Sequence, residues 1–197
     1  MNPKYLVIIA IVVIVAIFGS SIVGSMNTIP QLDEKVNASW AEVQNQYQRR
    51  ADLVPNLVET VKGYANFEQK TLTDVISARA NATKVTLTPE MLSNPAAVKQ
   101  FEQAQGGLSS ALSRLMVVAE RYPDLKANQN FLALQSQLEG TENRITVARK
   151  DYIETVQFYN VRVRTFPGII WAKFYGAKPK QTFAATQGSE KPPAVKF

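Results

Sequence analysis

Apolar residues recur at alternating gaps of three and four along most of this chain, a spacing that predicts long amphipathic helices. The first such stripe begins near Leu32 and fades after Arg79, so we expect one long helix over this range. Arg50 and Glu68 occupy steps of the stripe where an apolar residue is missing. Its apolar positions are Val36, Trp40, Val43, Tyr47, Val54, Leu57, Val61, Ala65, Leu72 and Val75.

A second helix is predicted after a connection, residues 81–95, that is rich in Thr, Ser, Asn and Pro. Asn94 suits the N-cap and Pro95 the first helical position. Gly106 and Gly107 weaken the middle of this helix. We interpret them as a close approach of helices, with a hinge as the alternative. The inward positions are Val98, Phe101, Leu108, Leu112, Leu115, Val118 and Ala119.

A third helix is predicted to open near Asn128, after Tyr122-Pro123-Asp124 has ended the second, and to stop at Pro167-Gly168. Residues 169–175 are apolar and aromatic and indicate a docking turn or a short fourth helix. We therefore expect an all-α up-and-down bundle over residues 27–176, with three long helices and a short C-terminal helix. The third stripe is Phe131, Leu134, Leu138, Thr141, Ile145, Ala148, Tyr152, Val156, Tyr159, Val163 and Phe166.

The N-terminus carries a predicted transmembrane helix from Tyr5 to Met26, behind a short flank of residues 1–4. No charged residue occurs between Lys4 and Asp33, and a helix over this segment would be about 33 Å long, enough to cross a bilayer core. The alternative is a signal peptide cleaved near Val23-Gly24-Ser25. The positive-inside rule places the N-terminus in the cytoplasm. We therefore expect a single-pass protein of the bacterial inner membrane, with its bundle on the periplasmic side.

Composition excludes several classes of chemistry, because the chain contains neither Cys nor His. Disulfides, thiolate nucleophiles and Ser-His-Asp triads are impossible. The sequence also has no phosphate-binding glycine loop and no calcium-binding loop. We therefore predict no enzymatic activity, no cofactor and no metal site.

The net charge of +6 is concentrated at the two ends of the chain. Lys4 precedes the apolar segment, and the tail from Lys178 onward holds four Lys against Glu190. No basic patch with interleaved aromatic residues is visible, so binding to nucleic acid is not expected. Residues 177–197 are rich in Lys, Pro, Ser and Gln, which predicts a flexible basic tail.

Charged residues on or beside the apolar stripes form the first candidate site. Arg50 lies on the first stripe, while Glu142 and Arg149 adjoin the third. Because buried charges must pair, we hypothesise an ion pair between Arg50 and Glu142. The alternative is that each long side chain reaches solvent from the edge of its stripe.

A second candidate surface is the polar stripe Arg49, Asp52, Asn56 and Glu59, whose spacing puts all four residues on one helix face. It is either a solvated face or a contact surface between helices or subunits. Pro55 interrupts the same stretch, at the first turn of a new helix or at a fixed kink. This stretch is therefore predicted to be a joint between the membrane-proximal and distal parts of the bundle.

Three ordered motifs resemble the LemA family of bacterial membrane proteins. They are RRADLVPNLVETVKGYANFE (49–68), RYPDLKANQNFLALQSQLEGTENRITVARKDY (121–152) and YNVRVRTFP (159–167), followed by Pro-x-Val-x-Phe at 193–197. The resemblance implies an N-terminal transmembrane helix, a helical bundle and no established catalytic residues. Relatives in this family are associated with organelle formation in magnetic bacteria, or are encoded beside a membrane zinc metalloprotease.

Two classes of function follow from these features. The first is a membrane-anchored structural or scaffolding protein that forms homo-oligomers and organises or shapes the lipid bilayer. The second is an adaptor or modulator of another membrane protein, such as a membrane metalloprotease. A hydrolase using Asp/Glu pairs would need two carboxylates that converge in a cleft, and the predicted bundle offers none.

Overall fold

The computed structural model describes the backbone of residues 3–64 and 68–183, and all the regular elements in these ranges are helices. They are α1 (Pro3–Lys62), α2 (Gln69–Lys84), α3 (Pro95–Ala119), α4 (Pro123–Lys126), α5 (Gln129–Arg164) and α6 (Gly168–Tyr175), with a 3-10 helix at Pro89–Ser93. The prediction of an all-α fold is confirmed.

The first predicted helix is two helices, so the expected three-helix layout is wrong. α1 ends at Lys62, just before Gly63, and α2 begins at Gln69. The chain reverses between them, as the contact between α2 and α1 shows: Arg79 Nε lies 2.8 Å from the carbonyl oxygen of Ala51. Val61 and Leu72 are buried in the same apolar cluster. The stripe therefore continued through the reversal, and spacing alone could not show the turn.

α1 itself is continuous across Pro55, which excludes the reading of Pro55 as the first turn of a new helix. The chain changes direction after Lys62 instead. α2 packs on α3 and on α1, while α5 packs along α1 over much of its length. Four helices, rather than three, therefore surround the core.

The predicted starts of α3 and α5 are confirmed by their caps. The Asn94 side chain accepts hydrogen bonds from the backbone N–H groups of Ala96 and Ala97 at 3.0 and 3.4 Å, and Pro95 follows it. The Asn128 side chain accepts from the N–H of Phe131 at 3.0 Å. Each cap satisfies donors that a helix N-terminus leaves without an intrahelical partner.

The buried apolar side chains form two clusters that follow one another along the bundle. The first core takes α1 residues from Ile29 to Tyr47, with the C-terminal half of α5 and the start of α3. The second core takes α1 residues from Val54 to Val61, with α2, the rest of α3 and the start of α5. Between them on α1 lie Arg50, which is polar, and the small Ala51.

Residues 177–183 correct the prediction of a flexible tail that begins at 177. Lys180 and Phe183 are buried, and Gln181 N donates to the carbonyl oxygen of Leu92 at 2.8 Å. We call residues 177–183 the strap, because they cross the first core in a non-helical conformation. The remaining tail, residues 184–197, lies outside the described residues.

The expectation of close helix approach at Gly106 and Gly107 is also wrong. Both residues are exposed, and a Cβ at either position would meet no atom within 4 Å. Gly168 is different, because a Cβ there would overlap the backbone carbonyl of Arg162. The glycine that the packing requires therefore lies where α5 turns into α6.

Within the described residues, no helix is long and apolar enough to cross a membrane. Many side chains of the predicted span, residues 5–26, lie outside the described set. The transmembrane helix stays a prediction.

Gly168→Ala and Gly106→Ala should shift stability in opposite directions. Overpacking against the Arg162 carbonyl should cost about 1–3 kcal/mol, which lowers the melting temperature. Replacing the exposed helical Gly106 should stabilise α3 by up to about 1 kcal/mol, because Ala has the higher helix propensity. Thermal unfolding of the full chain in detergent, followed by circular dichroism at 222 nm, measures both shifts. Equal behaviour of the two variants would contradict this account.

Candidate functional site

Arg50 is a fully buried charged side chain on the apolar stripe of α1, with 1% of its surface exposed. Its Nη1 donates to Glu142 Oε1 at 2.8 Å and to Ser109 Oγ at 2.6 Å. Its Nη2 donates to Gln105 Oε1 at 2.7 Å and to the Gln105 carbonyl at 3.1 Å. The ion pair predicted between Arg50 and Glu142 is therefore present, and it joins α1 to α5 while the other bonds join α1 to α3.

Gln105 extends the same network to α2. Its Nε2 donates to the carbonyl oxygen of Ala82 at 3.1 Å. Ala82 lies in the last turn of α2, where carbonyl groups have no intrahelical donor. The buried side-chain amide of Gln105 thus satisfies a carbonyl at the end of α2. The same bond orients the Gln105 oxygen that accepts from Arg50. We call Arg50, Gln105, Ser109 and Glu142 the polar layer, since it separates the first core from the second.

The layer favours a unique register more than it favours stability. Burying a guanidinium costs several kcal/mol, which a good ion pair and hydrogen bonds only roughly offset. Among the described residues, Arg50 Nε has no hydrogen-bond partner, so even this site leaves one donor unsatisfied. Sliding α1 or α3 by one residue would remove several of these bonds together, and sliding α2 or α5 would remove one. The layer therefore disfavours alternative alignments of the bundle.

Tyr47 and Arg149 border the polar layer. The Arg50 guanidinium lies 5.0 Å from the centre of the Tyr47 ring, a favourable cation–π distance. Burial raises the pKa of Tyr47, against the lowering effect of Arg149 and Arg50. Arg149 is half-buried, with its Nη2 3.7 Å from Glu102 Oε1 and its guanidinium 4.4 Å from the Phe183 ring centre. Arg149 thus links α5 to α3 and to the strap.

Pro55 and Arg79 form a second device that the sequence did not reveal. In a regular helix the N–H of residue 55 would donate to the carbonyl of Ala51, and proline has no N–H. Arg79 Nε of α2 donates to that carbonyl at 2.8 Å instead. Ala51 is buried, so the missing bond would be costly without this donor. The proline therefore creates an acceptor that fixes α2 against α1.

The polar stripe Arg49, Asp52, Asn56 and Glu59 faces outward, and all four residues are exposed. Its side chains make local bonds: Gln48 Nε2 donates to Asp52 Oδ1 at 2.8 Å, and Lys62 pairs with Glu59 at 3.0 Å. The structure brings Arg50 and Glu142 together and leaves this stripe on another face. Its role as an interface stays a prediction.

The strap is held by polar bonds that the sequence reading missed. Lys180 is buried and forms an ion pair with Asp33 at 2.6 Å. The Asn160 side chain accepts from the backbone N–H of Lys180 and donates to the backbone carbonyl of Lys180, both at 2.8 Å. Burial raises the pKa of Tyr152, whose hydroxyl donates to the Gln181 carbonyl at 2.9 Å.

Aromatic packing completes the strap. The Phe183 ring centre lies 5.3 Å from that of Tyr152 and 6.0 Å from that of Trp40. Nearby, burial raises the pKa of Tyr159 to about 12, with a smaller contribution from Asp33. The available signal in the sequence was Phe183, an aromatic residue in a mostly polar segment. The polar composition of the tail outweighed it and led to the prediction of flexibility.

The chemistry available at these sites is pairing and hydrogen bonding. Over the part of the chain that the structure describes, no group of three or more Asp or Glu residues is placed to hold a metal ion. In the polar layer the one carboxylate, Glu142, is paired with Arg50. The arrangement can hold the helices in position and leave the outer faces of the bundle exposed for contact with other molecules.

Comparison with known sequences decides the family. The family model described as LemA family matches residues 39–197 of this chain, which include both the polar layer and the strap. The chain belongs to the LemA family. The resemblance of the three motifs is thereby confirmed.

Curated relatives of this LemA-family protein are distant in sequence but similar in extent. Magnetosome proteins MamQ 1 and MamQ 2 of Paramagnetospirillum magneticum are each 24% identical over 207 residues, covering 97% of this chain and 76% of the relative. Protein LemA of Metamycoplasma hominis is 23% identical over 164 residues, covering 83% and 70%.

A double-mutant cycle on Arg50→Met and Glu142→Gln should show strong coupling. Arg50→Met should cost about 3–5 kcal/mol of unfolding free energy, because a buried pair is broken. Glu142→Gln should cost about 1 kcal/mol, because the Glu142 side chain is 44% exposed and screened by solvent. We expect a coupling of about 1 kcal/mol in chemical denaturation, close to the whole cost of Glu142→Gln.

The matched control for that cycle is the exposed pair of Arg121 and Glu68, which are 3.2 Å apart. Its coupling should stay within about 0.5 kcal/mol of zero, because both side chains are exposed. Additive effects of the Arg50 and Glu142 substitutions would show that their contact does not hold α5 in register.

Arg79→Met should be costly in the natural chain and much less so in a Pro55→Ala background. In the natural chain it leaves the Ala51 carbonyl without a donor, at about 1–3 kcal/mol. In the Pro55→Ala background the restored N–H of residue 55 can donate to that carbonyl. Urea denaturation of the four proteins measures the difference. The same cost in both backgrounds would mean that Arg79 acts only through packing.

Proposed function

We propose that this LemA-family protein is a non-enzymatic, membrane-anchored structural protein that self-associates and organises or shapes the bilayer. The carrying observation is that α1 runs without a break from Pro3 to Lys62. The predicted anchor and the membrane-distal end of the bundle would then be parts of one rod. A rod of this kind transmits the position of the bundle to the membrane.

The anchor in this proposal is Tyr5–Met26, in a single-pass arrangement in the bacterial inner membrane. Its support is the absence of charge between Lys4 and Asp33 and a length that suits the bilayer core. The cytoplasmic N-terminus and the periplasmic bundle follow from the positive-inside rule. The description of the MamQ relatives as magnetosome proteins supports a structural role at a membrane for this chain.

Rigid internal construction suits a scaffold. The polar layer, the Pro55–Arg79 contact and the strap each tie separate helices together by directional bonds. The charged and polar groups of these three sites are already paired with one another inside the bundle. We therefore propose that function resides in surfaces, with neither a cofactor nor a nucleic acid as partner.

Self-association is assigned to the stripe Arg49, Asp52, Asn56 and Glu59. The four exposed side chains carry both signs of charge along one face of α1, so two parallel copies anchored in one bilayer could pair Arg49 of one with Asp52 of the other. Rim charges of this kind set specificity and association rate more than affinity. A bilayer supplies the high local concentration that weak contacts need.

Exchanging the charges of the stripe should weaken oligomers without changing net charge. We expect Arg49→Glu with Glu59→Arg to shift the full-length protein toward monomers in detergent, measured by size-exclusion chromatography with light scattering. The control is Lys150→Glu with Glu154→Lys, an exposed pair on α5 at 3.9 Å, which should leave the mass unchanged. A strictly monomeric natural protein would contradict self-association.

The same variant distinguishes the adaptor function. If the natural chain is monomeric but a crosslinked membrane partner, such as a metalloprotease, is lost with the stripe variant, the adaptor function replaces the scaffold. The observation that favours this second candidate is the exposed, two-sign stripe itself.

A further inference from the structure

α6 is a short helix that shows large apolar side chains to the outside. Phe174 is 71% exposed and Ile170 53%, and the two lie one turn apart on the same face. Phe166, just before the helix, is 79% exposed. The opposite face is formed by Gly168 and Ala172, which are buried against the bundle. The helix is therefore fixed by its small residues and displays its large ones.

The position of α6 in the bundle is defined by its contacts with α1. Tyr175 lines a groove together with Ile29, Pro30 and Asp33 of α1, and α6 packs directly on α1. Ile29 follows Met26, the end of the proposed anchor, by three residues, or about 4.5 Å along the helix axis. The headgroup region of a bilayer extends about 5–7 Å beyond its core on each side. With that anchor in the bilayer, α6 would lie at the depth of the headgroups.

Charge and composition around α6 suit a lipid surface. From residue 159 to residue 180 the chain has five Lys or Arg and no Asp or Glu. Arg164, Lys173 and Lys178 are exposed, and basic side chains near a surface are attracted to anionic lipids. Aromatic rings such as those of Phe174 and Tyr175 favour the membrane interface. An amphipathic helix with these properties lies in the plane of the headgroups.

We infer that α6, with Phe166, inserts its exposed apolar face among the lipid headgroups beside the anchor. The occupant is the bilayer rather than a second copy of the chain, because the patch is continuous with the proposed anchor and flanked by the exposed Arg164, Lys173 and Lys178. The inference rests on the proposed membrane anchor. The bundle then has two attachments to the membrane, α1 and α6, which fix its tilt.

The test uses the absence of Cys, which makes any introduced Cys a unique labelling site. Phe174→Cys in the full-length chain is labelled with an environment-sensitive NBD fluorophore and reconstituted into phosphatidylcholine vesicles, with and without phosphatidylglycerol. The control is Val117→Cys on α3, where Val117 is equally exposed, at 69%, beside the second core. Circular dichroism verifies that both variants keep the fold.

We expect the label at position 174 to emit at shorter wavelength than the label at 117, and to lose most of its emission with lipids brominated in their acyl chains. Quenching should increase with phosphatidylglycerol. Quenching by aqueous iodide instead would overturn the inference. Protection from both quenchers would assign the patch to a second copy and overturn it too. Failure of the protein to float with the vesicles would refute the anchor itself, a separate outcome.

Discussion

The buried guanidinium of Arg50 is the constraint on which the arrangement of the bundle depends. A charge placed between two apolar cores must find its partners at one height along the bundle. It finds them on α3 and α5, and through Gln105 it reaches the end of α2. Apolar stripes allow helices to slide by a turn at modest cost. Directional bonds to a fixed cation remove that freedom.

A common principle connects the other polar contacts of the structure. Backbone carbonyls that lie at helix ends, in connections or beside a proline receive donors from distant elements. The Arg79 side chain donates to the carbonyl of Ala51, and the Gln105 side chain donates to that of Ala82. Trp40 Nε1 donates to the carbonyl of Leu87 at 2.9 Å, and Gln181 N donates to that of Leu92. Each bond satisfies a buried acceptor and also connects two parts of the chain. The irregular segments are thereby integrated into the bundle.

These connections tie separate parts of the described bundle together, which suits the proposed membrane scaffold. The strap joins the C-terminal region to Asp33 near the start of the bundle, and α6 lies at the same end. The polar layer then joins this end to the second core. In the proposed scaffold, positions imposed at the membrane would reach the distal end through packed helices and oriented bonds. The internal bonding of this LemA-family chain thus suits the proposed role in positioning.

Sequence spacing predicted most of the buried faces and where α3 and α5 begin, and it suggested the pairing of Arg50 with Glu142 as one of two alternatives. These features are local, or follow from the cost of burying a charge. The stripe could not show the reversal after Lys62, because helices on either side of a turn can bury equivalent faces in one core. It also could not show that Gly168, rather than Gly106, is required by close packing, since that depends on the Arg162 carbonyl.

The sequence by itself therefore specified the all-helical class, most of the buried faces and the unusual residues. Only the tertiary structure decided what those residues contact. Pro55 became part of a contact with Arg79, and the polar strap became part of the first core through Phe183 and Lys180. The physical reason is that an unpaired carbonyl or a buried cation has many partners of suitable type along the chain, and the three-dimensional arrangement selects among them.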